Sequence, residues 1–315
     1  MTVASAPRAA KAGSPPSPAR SPRRSARSLA RRWSGWLFVL PALVPYVLFV
    51  VRPLLLSIQY SLYDWNGIGA ATYVGGQNYR TVLTSRDQLV PILHAFELIV
   101  FFTVIPVGLG LVTAALLHGL PPGRFATLTR VVLFLPQVIP LVAAAIAWRW
   151  VYSTDGVLNQ GLSAVGLGGV TRAWLGDFDW ALVAVGLIGS WVLLGLCTLL
   201  LITGISKIDV SLYEAARLDG AGRVQEFLAV TLPGLRREIG VCVTVTVIAA
   251  LASFDIIYVT TQGGPGTETL VPGVQIFRLA FTERQIGLAS ANAVVLMALV
   301  LLVILPIQRF SNRED

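Results

Sequence analysis

Charge is what this sequence has least of. Asp, Glu, Lys and Arg make up 13% of its 315 residues, where soluble domains carry about 25%. A chain so poor in charge does not suit an ordinary water-soluble domain. Cysteine and histidine are scarce as well, two of each. Cys197 and Cys242 both fall inside apolar runs, and they read as small apolar fillers rather than a disulfide framework or a metal site. His94 and His118 stand alone near the ends of such runs, with no cluster of ligands around either. Two catalytic signatures are missing too. No G-x-x-x-x-G-K-[ST] phosphate loop occurs, so the chain is not expected to hydrolyse ATP. Ser163 lies in Gly161-Leu162-Ser163-Ala164-Val165-Gly166, which is not the G-x-S-x-G of a hydrolase elbow. No catalytic residue, metal ligand or bound cofactor is nominated.

Apolar residues fill the gap: 55% of the chain is hydrophobic and the mean hydropathy is +0.72. A membrane span needs about 20 mostly apolar residues. Six runs qualify, at 36–57, 95–117, 131–151, 180–204, 239–261 and 288–307. Backbone groups find no water partner in lipid, so the runs should be helices. The fourth is the cleanest, with no ionisable residue between Trp180 and Lys207. Six buried helices of a soluble protein would each need about twice the usual length.

The formal charge of +8 invites a nucleic-acid reading, but its distribution points elsewhere. Eight of the 24 Lys and Arg precede Trp33, in a tail without acidic residues. Lys and Arg gather on the cytoplasmic side of membranes. With the tail inside, the inner segments hold 17 of these residues and the outer loops five (Arg80, Arg86, Arg172, Arg278, Arg284). Arg52 and Arg149 lie near the outer ends of the first and third runs and, like Glu97, suit snorkelling or pairing. The expected topology is N-in, C-in, with lipid rather than nucleic acid as the tail's partner.

The expected architecture is an all-α integral membrane protein of six transmembrane helices. A disordered basic tail (1–32) precedes a six-span domain (33–310), and 311–315 form a short cytoplasmic end. Pro, Ser, Ala and Arg dominate the tail and cannot bury enough surface to order it. The first apolar run is too long for a signal segment and contains Pro41 and Pro45, so it should be an uncleaved span. The outer loop at 59–93 is aromatic, with Tyr60, Tyr63, Trp65, Tyr73 and Tyr79, suited to interface anchoring or to contact with an external partner. The third outer loop opens with Gln262-Gly263-Gly264-Pro265-Gly266, a turn signal.

The inner loop at 205–238 has structure of its own. Ser211-Leu212-Tyr213-Glu214 fits a capping box, and the short helix after it should stop at Gly220. A second helix carries Val224, Phe227, Leu228 and Thr231 at helical spacing and should end before Pro233. Within this loop, Glu214-Ala215-Ala216-Arg217-Leu218-Asp219-Gly220 is followed, nine residues on, by Val230-Thr231-Leu232-Pro233. That pattern resembles the EAA loop of bacterial ABC importer permeases, with Val230 in place of Ile. Leu212–Ala221, the Ser253–Thr260 stretch leading to Gly263-Gly264-Pro265, Leu135-Pro136-Gln137-Val138-Ile139-Pro140 and Gln77-Asn78-Tyr79 are similar to the sugar-importer branch. The likeness covers about residues 33–310.

The resemblance implies a type I ABC importer permease fold in the bacterial plasma membrane. It implies a second, related permease subunit, two cytoplasmic ATPase subunits that use ATP and Mg, and an external solute-binding protein. Glu214, Ala215, Ala216, Asp219, Gly220, Leu232 and Pro233 then belong to the ATPase-coupling element. Small Ala215 and Ala216 let a helix approach a partner closely, and Glu214 offers a charge. The resemblance also places Trp191, Leu196, Thr246, Ala250 and Ser253 near a sugar site in the fourth and fifth runs. Asp255 joins them as an ionisable group within a span. The plainer reading is that Ser and Thr bond neighbouring helices and that Trp packs. A non-sugar solute such as glycerol phosphate is the runner-up. A channel leaves the EAA-like loop unexplained, and a membrane-embedded enzyme lacks a catalytic constellation. The solute itself is not legible.

Overall fold

The computed structural model describes residues 39–121 and 123–311. The basic tail expected at 1–32 lies outside them, as do residues 312–315 of the C-terminal end. The chain divides into two compact units, Met1–Leu54 and Leu55–Asp315. The first carries most of α1 (Val39–Tyr60), an apolar helix of 22 residues. At 1.5 Å per residue that is roughly 33 Å, enough to cross a hydrocarbon core.

The second unit opens with a small hairpin, β1 (Tyr63–Asp64) antiparallel to β2 (Thr72–Tyr73), and α2 (Gln77–Thr84). The Asn78 amide donates to the carbonyls of Ser61 and Tyr63, both at 2.9 Å, and ties the hairpin to α2. Helix α3 (Arg86–His118) is 33 residues long and starts well before the apolar run at residue 95. It widens into a π turn at Val100–Val104. Pro106 explains the widening, because it has no N–H for the Phe102 carbonyl and its ring would collide with it in a regular helix. The Phe101 carbonyl is met across the interface by the Ser190 hydroxyl at 2.7 Å.

Helices α4 (Arg124–Val138) and α5 (Leu141–Val151) meet at 100°. The single span expected at 131–151 is therefore two helices. Pro140 disfavours helix at the residue before it, and Ile139 is extended, with ψ 128°. After α6 (Val157–Ala164) comes α7 (Ala181–Ile205), most of it buried. Its glycines admit its neighbours: a methyl at Gly189 would overlap the Phe102 ring, and one at Gly195 would overlap the Leu133 carbonyl. Small residues of this kind drive close packing where no water is present.

Next come α8 (Val210–Leu218), α9 (223–234) and α10 (Arg236–Leu251). The span expected at 239–261 is also broken, since α10 ends at Leu251 and α11 covers Asp255–Thr260. No proline forces this break. Phe254 leaves helical geometry, with φ −142° and ψ −61°, where α12 (272–282) comes in. A methyl on Gly273 of α12 would lie 2.8 Å from the Ser253 carbonyl. Helix α13 (Ile286–Ser311) closes the unit. Among the described residues four helices, α1, α3, α7 and α13, are long and apolar enough to cross a membrane, or five if α4 and α5 are one bent span. The core forms around α7. Val185, Ile188 and Leu193 pack with Leu98, Phe102, Ala250, Ile256 and Ile257. Further along, Cys197 and Leu201 pack with Val107, Ala114, Leu235 and Cys242.

Candidate functional site

The first candidate region is the elbow made by α8 and α9. Helix α8 starts after Asp209, whose carboxylate accepts the Ser211 backbone N–H at 2.9 Å. Bonds from the Ser211 backbone and hydroxyl hold that carboxyl below the usual carboxylate range. The capping box expected at Ser211 and Glu214 does not form; a single cap by Asp209, two residues earlier, stands in its place. A carboxylate suits the positive end of a helix, so Asp209 takes the cap. Ser211 is already helical, and Glu214 is exposed on the helix. Gly220 ends α8 with φ +84°, a left-handed position that penalises any side chain. The Ala221 N–H bonds to the Ala216 carbonyl at 2.9 Å and the Gly220 N–H to the Arg217 carbonyl at 3.0 Å, a Schellman closure.

Helix α9 opens with the Gln225 side chain accepting the Gly222 N–H at 3.0 Å. It was expected to stop before Pro233 but passes through it. Residues Phe227–Thr231 widen into a π turn, which relieves the clash a proline makes in a regular helix. Leu232 is half-buried, and Pro233 is exposed.

One face of α8 holds α9. Tyr213 is buried at 7% exposure, its hydroxyl 3.1 Å from that of Thr231. Its ring centroid lies 6.2 Å from that of His118, at the end of α3. One turn further, Arg217 donates to Glu226 through Nε at 3.0 Å and Nη2 at 2.9 Å. These bonds push the Arg217 pKa up and hold the Glu226 carboxyl below its usual range. The opposite face presents Ser211, Glu214, Ala215 and Leu218, all exposed, at the spacing of one helical stripe. Leu218 is 88% exposed. A bare leucine beside a small residue and a carboxylate is a surface that another protein can cover. Ala216 is half-buried, and Asp219 is exposed at the C-cap.

The second candidate region lies at the breaks. Ser253 sits between α10 and α11 at 8% exposure, and its hydroxyl has no partner. Leaving a buried polar group unpaired costs about 1–3 kcal/mol, so a bonding ligand would be favoured there. Trp191 on α7 is half-buried and meets Trp148 of α5 edge to face, centroids 5.5 Å apart. Trp148 in turn packs on the cluster that contains Ala250, which is fully buried. Helices α5, α7 and α10 converge there. Thr246 is fully buried and its hydroxyl is already used, donating to the carbonyls of Cys242 at 2.8 Å and Val243 at 3.2 Å. Leu196 is half-buried further along α7, and Asp255 is exposed in the first turn of α11.

Two further groups were not singled out from sequence. The Gln137 Oε1 and Thr103 Oγ1 atoms are buried without partners. Gln137 lies in the last turn of α4, and its signal was present: a polar side chain between Pro136 and Pro140 in an apolar run. Thr103 lies in the π turn of α3. Thr113 and Thr246 bond carbonyls of their own helices, and Thr103 does not. Only Pro106 hints at the widened turn in the sequence.

Long apolar helices, with two of the apolar runs broken within, define a polytopic membrane protein that also carries a helix–glycine–helix elbow. Residues 106–314 match the family described as binding-protein-dependent transport system inner membrane component, and the chain belongs to that family. It is 35% identical over 284 residues to the probable ABC transporter permease protein YurN of Bacillus subtilis, covering 89% of this chain and 97% of the relative. It is 31% identical over 298 residues to the lactose transport system permease protein LacF of Rhizobium radiobacter, covering 92% and 98%. The fold is similar to that in the crystal structure of a bacterial ABC transporter involved in import of the acidic polysaccharide alginate. That match has a TM-score of 0.78 at 22% identity and covers 93% of this chain and 100% of the other. The resemblance drawn from the Glu214–Pro233 pattern is borne out at the level of the family. The chain is a membrane permease subunit of an ABC importer and not itself an enzyme.

Proposed function

We propose that this permease translocates a sugar or oligosaccharide. The observation that carries the proposal is the unpartnered Ser253 hydroxyl at a broken helix, close to where Trp148 and Trp191 converge with α10. Broken helices expose bonding groups at transporter midplanes, hydroxyls suit a polyhydroxylated solute, and indoles suit its apolar ring faces. The relative named for lactose transport and the structural neighbour described as importing alginate support a carbohydrate. Ser253, Trp191 and Gln137 are the residues assigned to solute contact, with Leu196, Ala250 and Thr246 shaping the wall and Asp255 near its edge.

In this reading the chain crosses the bilayer six times, with α4–α5 and α10–α11 each making one broken crossing. Both termini are cytoplasmic, in line with the split of 17 inner to five outer Lys and Arg. The basic tail lies on anionic lipid. A second, related permease completes the pathway, and an external binding protein delivers the solute. Two cytoplasmic ATPase subunits consume ATP with Mg, while this chain binds no cofactor. The elbow docks on one of them through Glu214, Ala215 and Leu218. Ala216, Asp219, Gly220, Leu232 and Pro233 keep its shape. ATP and solute then bias two states of the pathway.

Two experiments test this. The partner binding protein, assayed against a panel of sugars, glycerol phosphate and amino acids, should select a sugar, and uptake by the whole complex should follow the same order. Selection of a non-carbohydrate would overturn the substrate class. A reporter fused after Asp315 should be cytoplasmic and one inserted near Thr267 external. Finding both on one side would end the six-crossing reading.

A further inference from the structure

We infer that Arg217 and Glu226 form a clasp that sets the angle of α8, making them positioning residues for energy coupling. The inference rests on the docking role proposed for the elbow. Glu226 falls in the nine-residue gap that the EAA-like pattern leaves unspecified, so it is a feature of this chain rather than of the pattern.

The link between α8 and α9 is loose by composition. Gly220 and Gly222 flank Ala221, and glycine leaves the backbone free to take many conformations. Backbone bonds close the end of α8 and the Gln225 cap opens α9, and side chains that cross between the helices add a further hold on their angle. Two side-chain ties cross from α8 to α9. Tyr213 reaches Thr231 at 3.1 Å, and Arg217 grips Glu226 at 3.0 and 2.9 Å. Tyr213 and Arg217 are four residues apart and share a face, about 6 Å apart along the axis. One tie alone leaves a pivot, and two define a direction.

A single-point ion pair on a surface is worth little. This one is bidentate, with two parallel N–H donors on two carboxylate oxygens, and such pairs fix geometry as well as charge. The Glu226 side chain is 16% exposed and that of Arg217 64%, so the carboxylate is held within the elbow while the guanidinium closes over it. Leu218, on the docking stripe, lies about 7–8 Å beyond Tyr213 along α8. A tilt of about 20° around Tyr213 would move it by roughly 2.5 Å over that lever. That is enough to unseat a packed side chain from a partner's cleft.

The test uses the whole complex in proteoliposomes, with uptake and ATP hydrolysis measured together. Arg217→Glu and Glu226→Arg should each reduce solute moved per ATP by about tenfold, the effect of losing a strongly coupled pair, while the chain stays in the membrane. The two reversals combined should restore the ratio to within about threefold, because the pair is rebuilt with opposite polarity. Wild-type coupling in either single variant would overturn the clasp. So would failure of the double reversal to restore coupling, since Arg217 would then be acting on another partner. If a reversal fails to reach the membrane, Arg217→Gln and Glu226→Gln take its place. Their losses should be equal, and the combined variant no worse than either alone. Additive losses would overturn the clasp. Gly220→Val, run alongside, separates the two layers of the argument. If it couples normally, the docking role of the elbow fails. If it uncouples while the clasp variants do not, only the clasp fails.

Discussion

In the elbow, polar side chains are paired within the chain: Asp209 with the Ser211 N–H, Tyr213 with Thr231, Gln225 with the Gly222 N–H, Arg217 with Glu226. At the breaks the opposite holds. The Ser253 hydroxyl and the Gln137 carbonyl oxygen are buried and unpaired, and so is the Thr103 hydroxyl in the π turn of α3. On the proposed roles, the elbow is a lever that must keep its shape to act on another subunit, which closed hydrogen bonds achieve, and the breaks are a surface that takes and releases a solute and must keep bonds open. The two regions are built from similar residue types but differ in what those residues are bonded to.

The largest effect should come from distorting the lever. Gly220→Val places a branched side chain at φ +84°, where a side chain is penalised. Uptake should fall to background while the chain reaches the membrane at near-normal levels, and the ATPase should co-purify less or lose its response to loaded binding protein. Glu214→Lys leaves the elbow's shape intact and reverses one exposed charge on the docking stripe. Its loss should be smaller, about tenfold, if a basic partner group is met directly. Equal uptake by both variants and wild type would reduce the elbow to a connector.

Smaller effects are expected at the breaks. Trp191→Ala and Ser253→Leu should raise the KM for uptake without loss of assembly. Ser253→Ala isolates the hydroxyl bond, worth about 0.5–1.5 kcal/mol, or roughly two- to twelvefold in KM. Thr246→Val should have the least effect, under about twofold, because its hydroxyl serves only its own helix and the backbone bonds remain. A large Thr246 effect together with a silent Ser253 would invert the comparison and move the solute contacts deeper.

The elbow was the more legible of the two regions because its signals are local. A glycine stop and a run of small residues at fixed spacing determine a helix–turn–helix from neighbours alone. Even so, Asp209 caps the helix in place of Ser211: its carboxylate accepts the Ser211 N–H, which starts the helix two residues earlier and leaves Ser211 inside it. The helix also ran through Pro233, because a π turn absorbs the clash. Apolar run length gave the positions of the long helices. It could not show that the runs at 131–151 and 239–261 are broken. The first break is written in Pro140. The second depends on Gly273 meeting the Ser253 carbonyl from twenty residues away in sequence, a contact that no local pattern announces. The unpaired atoms at these places follow from tertiary packing, so Gln137 was quoted only within a family likeness, without a site role, and Thr103 was not named.

The claim that the exposed stripe of α8 is the contact through which an ATPase drives this permease has a direct test. Cys197 and Cys242 are buried, so a cysteine introduced as Leu218→Cys, 88% exposed in the native chain, would be the reactive thiol on the elbow. In the assembled, transport-competent complex a short thiol cross-linker should join it to the ATPase subunit, with a yield that changes when ATP and loaded binding protein are added. A cysteine on the inner face, Ala216→Cys, should react much less. An active complex in which Leu218→Cys never cross-links to the ATPase would contradict the account.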